Sequence, residues 1–395
     1  MNSIKKNQMS AKPQIEDLQR LYQICVRCVM DTSINGITFD NQGVCNFCRA
    51  AEVRLSKELY VGVKNASRLH QLIDQIKSEG RKRPYDCIIG VSGGVDSSYT
   101  AYLVKRIYGL RPLAVHFDNG WDSELAVQNI ENLIKKLDID LFTHVVDWEE
   151  FKDIQLSFLK ASVANCEIPT DHAILALLYR MAAKQGVRFI IHGGNLATES
   201  IMPAEWMHDA KDLRFLVSIH ERFGTVNRQT MPTMSYMTLA WNILIRRIRY
   251  VSLLNYIDFN KQKAIRVLED ELGWRKYGGK HFESIYTRFF QGYLLPEKFH
   301  MDKRRPHSSS LIMSGQMSRN EALKELELPP YDQTIVREDI KYICRKFRMS
   351  DAEFSQIMNM PVKESSEYPN NALILRKIEP LVHWIKRVAT ARVDK

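Results

Sequence analysis

The sequence predicts an α/β protein: a parallel, doubly wound sheet, with a small four-cysteine metal ribbon before it and a mainly helical region after it. Three observations carry this expectation. From residue 85 onward, short β-rich apolar runs alternate with segments whose apolar residues recur near every 3.6 positions, the pattern of parallel strands joined by crossover helices. Ahead of them stand two close cysteine pairs, Cys25/Cys28 and Cys45/Cys48. Beyond residue 225 or so the patterning is amphipathic and helical, without further strand runs. The chain therefore divides into a loose arm over 1–20, a ribbon over 21–52, a helical linker over 53–84, an α/β domain over 85–225 and a helical C-terminal region over 226–395 that binds substrate or a partner.

A chain of 395 residues with 45% hydrophobic content can bury a large core. It contains no run of 18 apolar residues, and residues 1–20 lack the apolar centre of a signal peptide, so the expected location is cytoplasmic with no transmembrane segment. In that reducing compartment the seven cysteines read as metal ligands before disulfides. The net charge of +10, from 56 basic against 46 acidic residues, favours a polyanionic partner. Nucleic acid, a membrane surface and ATP with a phosphorylated substrate all satisfy it.

In the ribbon, Cys25-Val26-Arg27-Cys28 and Cys45-Asn46-Phe47-Cys48 enclose two turn signals, Asn35-Gly36 and Asp40-Asn41-Gln42-Gly43, around Ile37-Thr38-Phe39. This predicts a hairpin with two cysteine knuckles that place four thiolates around zinc; an iron–sulfur cluster is the rival, since thiolates at this spacing serve both. Four thiolates leave no open position, so the expected role is to stabilise or dock. The linker carries Leu55, Leu59, Leu69, Leu72, Ile73 and Ile76 at helical spacing and ends at Arg81-Lys82-Arg83-Pro84.

The first strand run, residues 85–91, breaks into Ser92-Gly93-Gly94-Val95-Asp96-Ser97-Ser98. Glycines let backbone N–H groups approach an anion, the serines add hydroxyls, and the following helix points its positive end at the same place. Neither the Walker pattern nor the dinucleotide fingerprint is present. The stretch resembles the PP-loop of the ATP pyrophosphatases, which cleave ATP to AMP and pyrophosphate to adenylylate an oxygen. That resemblance implies an adenine nucleotide alpha hydrolase-like fold, with Ser92, Gly93, Gly94, Asp96, Ser97 and Ser98 holding ATP and Mg2+ beside it. Further strands are expected at 112–117, 141–146 and 189–192, and a helix at 173–183. Ligands of such sheets lie at the strands' carboxyl ends. Four loops therefore converge there: 92–98, 116–119, 166–172 and 193–199. They nominate His116, Asp118, Gly193 and Asn195 for the nucleotide, and Asp171 and Glu199 for a substrate. Asp171 also reads as a helix cap, Gly193-Gly194 as a plain turn and His116 as a core histidine.

Residues 231–259 are rich in Met, Trp, Leu and Ile but carry Arg246, Arg247 and Arg249, which bars comfortable insertion across a bilayer. The expectation is a helix over the active site or against a partner, with surface attachment to a membrane as the alternative. Two polar clusters follow, Tyr277-Gly278-Gly279-Lys280-His281-Phe282-Glu283-Ser284 with Thr287-Arg288-Phe289, and Asp302-Lys303-Arg304-Arg305-Pro306-His307. Their cations suit phosphate or carboxylate.

On these residues, together with His116-Phe117-Asp118-Asn119-Gly120-Trp121, Pro169-Thr170-Asp171-His172-Ala173-Ile174 and Gly193-Gly194-Asn195, the chain is similar over nearly its whole length to the N-acetyl sugar amidotransferases. These enzymes, which include WbpG and PseA, serve bacterial surface polysaccharide, lipopolysaccharide and O-antigen biosynthesis. The resemblance implies an ATP-dependent ligase that turns an acetamido group into an acetamidino group. An amide oxygen is a poor leaving group; adenylylation makes it a good one, and ammonia then displaces AMP. In this scheme Asp96 acts with the loop, Lys280 and Arg288 stabilise phosphate or an anionic sugar, and His172 or His281 takes the proton that ammonia loses. Asp171, Glu199, Glu283, Lys303, Arg304 and His307 complete the contacts to an N-acetylated sugar, anionic or nucleotide-linked. Position 2 is Asn2, and none of Cys87, Cys166 and Cys344 lies in a G-x-C-x-G setting. Ammonia is therefore expected from a separate glutaminase with a cyclase-like partner, resembling the subunits of imidazole-glycerol-phosphate synthase.

Two other readings share the loop. A tRNA thiolase or lysidine-type synthetase would use the same ATP chemistry and ribbon, with Cys166 as a sulfur carrier, and would bind with steep salt dependence. A non-catalytic nucleotide switch would bind ATP and form no AMP. The sugar reading leaves no role for nucleic acid.

Overall fold

Five parallel strands form the sheet: β1 (Cys87–Gly90), β2 (Pro112–Asp118), β3 (Asp140–Val145), β4 (Phe189–His192) and β5 (Arg249–Ser252), in the order β3-β2-β1-β4-β5. The computed structural model describes residues 21–62, 66–278 and 282–377. The expected arm over 1–20, and Lys280 and His281, lie outside these residues. The first four strands stand where the apolar runs predict them. β5 is unexpected: it falls within the stretch read as one helix, and Arg249 at its start lays its guanidinium over the Phe189 ring and donates to Gln75.

Along the chain, α1 (Asn46–Glu58) closes the ribbon, α2 (Ala66–Gly80) leads into β1, and α3 (Val95–Tyr102) follows the glycine loop. α4 (Glu124–Leu137) joins β2 to β3, while α5 (Trp148–Ala161) and α6 (Ile168–Gln185) join β3 to β4. Between β4 and β5 come α7 (Leu196–Glu199), α8 (Leu213–Phe223) and α9 (Tyr236–Leu244). α10 (Lys261–Leu272) returns to the sheet, and α11 (Ile285–Phe289), α12 (Leu295–Phe299), α13 (Arg304–Met313), α14 (Arg319–Glu327), α15 (Gln333–Phe347) and α16 (Asp351–Asn359) build the C-terminal region.

Side chains alternate across the strands and feed two cores, as a parallel sheet covered on both faces requires. Cys87, Ile89, Ala114, Phe189, Ile191 and Val251 meet Leu72 and Ile76 of α2, Leu133 of α4 and Leu268 of α10. Ile88, Leu113, Val115, Phe117 and Ile190 meet Phe151 and Phe158 of α5 and Leu177 of α6. Phe289, Phe347 and Phe354 of the C-terminal helices join this second core. Burying each such ring stabilises by about 1.5–3 kcal/mol, so the C-terminal region is held against the sheet by its own aromatic residues. Helix α6 begins five residues before the expected 173, with Glu167 at its cap and Pro169 in its opening turn. Asp171 thus sits inside the first turn. Among the described residues no helix is long and apolar enough to cross a membrane.

Candidate active site

The strand order reverses between β1 and β4, and the two loops leaving those strands touch. Gly94 caps α3 with its backbone alone, so the opening N–H groups of that helix have no side-chain acceptor from the cap. The hydroxyls of Ser92 and Ser97 lie 3.2 Å apart, and Ser97 receives a hydrogen bond from the Ser92 N–H at 3.3 Å. Gly93 adopts φ +76° with its carbonyl fixed by Trp274 Nε1–H at 2.8 Å and Tyr277 O–H at 2.9 Å. A Cβ at Gly193 would stand 2.6–2.8 Å from backbone atoms of Asp96 and Ser97, so only glycine lets the β4 loop reach the phosphate loop. Asn195 caps α7 and aims its amide at Asp96 Oδ2, 3.5 Å away. The combination of open helix N–H groups, hydroxyls and close glycines suits a pyrophosphate.

The other two loops complete the rim. Asn119 donates to Thr170 Oγ1 at 3.3 Å, and Asp118 accepts from the Gly120 N–H at 2.8 Å. The C-terminal region closes over them: Ser123 N–H donates to the Glu283 carbonyl at 2.9 Å, Ile285 N–H donates to the Trp121 carbonyl at 2.9 Å, and Asp122 bridges Ser284. A Cβ built at Gly94 would lie 3.8 Å from Glu283 Oε1, which places that carboxylate beside the phosphate loop. Thr287 Oγ1 donates to Glu167 at 2.5 Å, tying α11 to the start of α6.

One turn further along α6 lies Asp171, accessible from the cleft and densely surrounded by protein elsewhere. That enclosure first, and the Glu167 carboxylate second, push its carboxyl up to about 7 against the pull of Lys303. Lys303 stands at the start of α13 with its ammonium 5.4 Å from the Phe290 ring. His307, one turn on, faces the Thr198 carbonyl at 3.2 Å.

Four of the nominated side chains are already engaged within the fold. His172 is buried with both nitrogens engaged: Nδ1–H donates to the Ala210 carbonyl at 2.7 Å and Nε2 accepts from the Met234 N–H at 3.1 Å. Burial also lowers its pKa, and in this arrangement it holds a backbone turn. Arg304 is occupied by Asp302 at 2.7 Å and by the Glu325 and Leu328 carbonyls, where it ends α14. Arg288 makes a two-pronged pair with Asp339 at 2.7 and 2.6 Å and stacks 4.5 Å over Phe282, so it fastens α11 to α15. His116 is likewise fixed, between the Val91 carbonyl and Asp122 Oδ2, each at 3.0 Å. Glu199 borders the site, since a Cβ at Gly194 would lie 3.8 Å from its Oε2. Sequence reasoning gave no individual role to Glu167, Asp122, Trp274 or Tyr277, although Glu167 lies in the 166–172 loop and Tyr277 opens the first polar cluster. Only the Trp274-x-x-Tyr277 spacing ahead of two glycines carried a signal.

The four cysteines are fully buried, and their sulfurs all lie within 4.8 Å of one another. Cys25 and Cys48 Sγ are 3.9 Å apart, and Cys28 and Cys45 Sγ are 3.7 Å apart. Thiolates about 2.3 Å from a tetrahedral ion are separated by about 3.8 Å, so the set fits a single metal ion. Backbone N–H groups of Arg27, Met30, Cys45 and Cys48 point at the sulfurs at 3.2–3.4 Å, which offsets thiolate charge.

Comparison with known proteins places two segments. Residues 283–381 match the family described as LPS biosynthesis protein WbpG-like, C-terminal domain, and residues 68–173 match the NAD synthase family. An uncharacterized protein of Methanocaldococcus jannaschii is 24% identical over 70% of this chain and 83% of its own length. A glutamine-hydrolyzing GMP synthase of Pyrobaculum aerophilum is 35% identical over 25% of this chain, a segment that spans 18% of that enzyme. Among solved structures, an NH3-dependent NAD synthetase from Campylobacter jejuni aligns at 12% identity and TM-score 0.28, covering 75% of this chain and 97% of that one. The U34-tRNA thiolase NcsA from Methanococcus maripaludis, with its [4Fe-4S] cluster, aligns at 15% identity and TM-score 0.31, covering 78% and 89%. Those two likenesses are loose. The chain thus joins a segment that matches the NAD synthase family, and carries the PP-loop, to one that matches the WbpG-like C-terminal domain and overlies that loop, a combination consistent with the WbpG-like PP-loop enzymes.

Proposed function

We propose that the protein is an AMP- and pyrophosphate-forming amidotransferase that converts the acetamido group of an N-acetylated sugar, free or nucleotide-linked, into an acetamidino group for a bacterial surface glycan. The observation that supports it most is the seating of the WbpG-like segment on the phosphate loop, with Glu283 next to Gly94 and Thr287 holding Glu167. The amide oxygen attacks the α-phosphorus of ATP and pyrophosphate leaves. Ammonia adds to the imidate carbon, one proton departs, the C–O bond breaks and AMP is released, leaving C=NH where C=O stood.

The N–H groups opening α3 and the hydroxyls of Ser92 and Ser97 bind the departing pyrophosphate. Asp96 and Glu283 are the oxygen donors bordering the loop that would hold Mg2+, which would supply neutralisation of phosphate charge there. Asp171 takes the proton from ammonia: a carboxyl titrating near neutrality both accepts and returns a proton at working pH. Ammonia comes from a separate glutaminase. Zinc occupies the ribbon, because a four-iron cluster sits between its thiolates and would hold them farther apart than a single ion does.

The test incubates the protein with ATP, Mg2+, ammonium and N-acetylated sugar acids or nucleotide sugars, following AMP and the mass of the sugar. Loss of oxygen and gain of NH is the expected product, with glutamine unable to replace ammonium. In Asp171→Asn, sugar-dependent exchange of pyrophosphate into ATP persists while amidine formation stops. AMP formation stimulated by tRNA and by no sugar would favour the thiolase or lysidine chemistry instead.

A further inference from the structure

Helix α9 presents an apolar edge outward. Met237, Trp241, Leu244 and Ile245 recur at the spacing of one helix face and are 84%, 56%, 50% and 60% exposed, while Asn242 on the opposite side is buried. Leu239 packs against the core. Ser235 caps the helix by accepting the Thr238 N–H at 3.1 Å, so the face is formed before anything meets it. Beside it, between α6 and α9, opens a cavity of about 360 Å³ whose walls include Arg180, Lys184, Arg246, Thr238 and Asn242. Arg246 is steadied there by Asn242 Oδ1 at 3.0 Å. Arg180 and Lys184 stand nine and thirteen residues beyond Asp171, roughly 14 and 20 Å along the helix axis, so the cationic end of this cavity lies away from Asp171.

Cations outnumber carboxylates near this face, where Asp209 accepts from the Tyr236 O–H at 2.9 Å at the start of the helix. Between Glu221 and Asp258 the sequence holds no acidic residue and five arginines: Arg222, Arg228, Arg246, Arg247 and Arg249. A protruding apolar ridge with a tryptophan on it, flanked by arginines and a cationic recess, has the composition of a helix that lies in a lipid interface. We propose that α9 and the adjoining cavity form an attachment site for an anionic phospholipid bilayer: Met237, Trp241, Leu244 and Ile245 enter the acyl boundary, and Arg180, Lys184 and Arg246 take lipid phosphates. The enzyme then works at a membrane surface without crossing it.

The test sediments the full chain with vesicles of phosphatidylglycerol and phosphatidylcholine in equal parts, and with phosphatidylcholine alone, at low and high salt. The chain pellets with the anionic vesicles, less as salt rises, and little with the neutral ones. Each basic residue near an anionic surface strengthens attachment about fivefold, so Arg180→Ala with Arg246→Ala weakens it roughly 25-fold. Trp241→Ser with Leu244→Ser removes it while circular dichroism and melting stay as in the wild type, since both side chains are exposed. Equal pelleting with neutral vesicles, no pelleting, or wild-type pelleting by both double variants overturns the proposal. So does self-association that the Trp241→Ser, Leu244→Ser pair abolishes in the absence of vesicle binding, which would make this face a contact between two copies of the chain.

Discussion

Replacing Gly93 by alanine separates two costs that are usually confounded. The first is conformational: at φ +76° an L side chain costs about 1 kcal/mol. The second is steric. A Cβ there would stand 2.8 Å from the Ala126 carbonyl oxygen and 3.2 Å from its Cα, both backbone atoms of α4, and 3.0 Å from the Tyr277 hydroxyl. Helix backbone cannot yield as a side chain can, and overpacking of this kind costs about 1–3 kcal/mol. Gly109 provides the control, with φ +62° and nothing within 4 Å of its built Cβ. Gly109→Ala should lose about 1 kcal/mol and Gly93→Ala about 2–4 kcal/mol, read from denaturant melts. Relief by displacement would tear the Gly93 carbonyl from Trp274 and Tyr277 and turn the loop amides away from the nucleotide. Exchange of pyrophosphate into ATP should therefore fall in Gly93→Ala and persist in Gly109→Ala. Two variants of equal stability, with exchange at the wild-type rate in both, would refute the close-approach reasoning.

Three other perturbations follow from the same contacts. Cys45→Ser opens the four-thiolate shell, and metal analysis should find one zinc per chain in the wild type and little in the variant; iron with inorganic sulfide in the wild type would rule out the single-ion site. Asp339→Asn breaks a pair in which Asp339 is buried and Arg288 mostly so, at a cost of about 3 kcal/mol with little change in the KM for ATP; unchanged stability with a raised KM for the sugar would return Arg288 to the substrate. His116 has its pKa raised in the fold: burial opposes this, but the hydrogen bond and charge of Asp122 outweigh it. Its stabilising contribution is therefore full below the ordinary imidazole value of about 6.5 and is lost as pH rises through the folded value. The stability gap between wild type and Asp122→Asn should narrow from pH 6 to pH 8, measured by denaturant melts at each pH, and a gap that widens would contradict the assigned partner.

Period and punctuation in the sequence suffice for four of the five strands and for the meeting of their loops: β1, β2 and β4 are buried and apolar nearly throughout, β3 is a largely exposed edge strand that still carries a short β-rich run, and glycines stand where backbones touch. β5 escaped for the opposite reason. It is a four-residue edge strand whose Arg249 and Tyr250 lie over Phe189 and His192 of β4 and reach Gln75 and Tyr179 beyond the sheet, so neither alternation nor an apolar run marks it. Chemistry by residue type proved least legible. Arg288, Arg304 and His172 have the groups that phosphate binding and proton transfer require, but each is committed to a partner distant in sequence: Asp339, the end of α14, and the Ala210 and Met234 backbone. A motif records which groups are present and not which of them the fold has already paired. Asp171 illustrates the converse. Alone it reads as a helix cap; its proton affinity is raised first by its enclosure in the fold and then by Glu167 at the cap of its helix, and is opposed by Lys303 far along the chain.

The ribbon's contribution follows from what it touches. The carbonyls of Cys25 and Cys28 accept from Arg319, and that of Val29 accepts from Arg305, which also pairs with the buried Asp31 at 2.9 Å. Val29 N–H donates to Ser309 on α13, and Ser310 of the same helix accepts from Ile201 just beyond α7. The ribbon thus grips α13 through backbone groups whose positions depend on the knuckles being closed, and α13 carries Lys303 and His307 toward the cleft. Zinc bound by the four thiolates would supply about 10–16 kcal/mol of binding free energy to the fold it closes. Without the metal, four adjacent thiols have no reason to hold those carbonyls convergent on one guanidinium. Loss of metal should therefore loosen α13 and α7, and with them the Asn195 contact to Asp96, while the sheet, whose two cores contain no ribbon residue, stays folded.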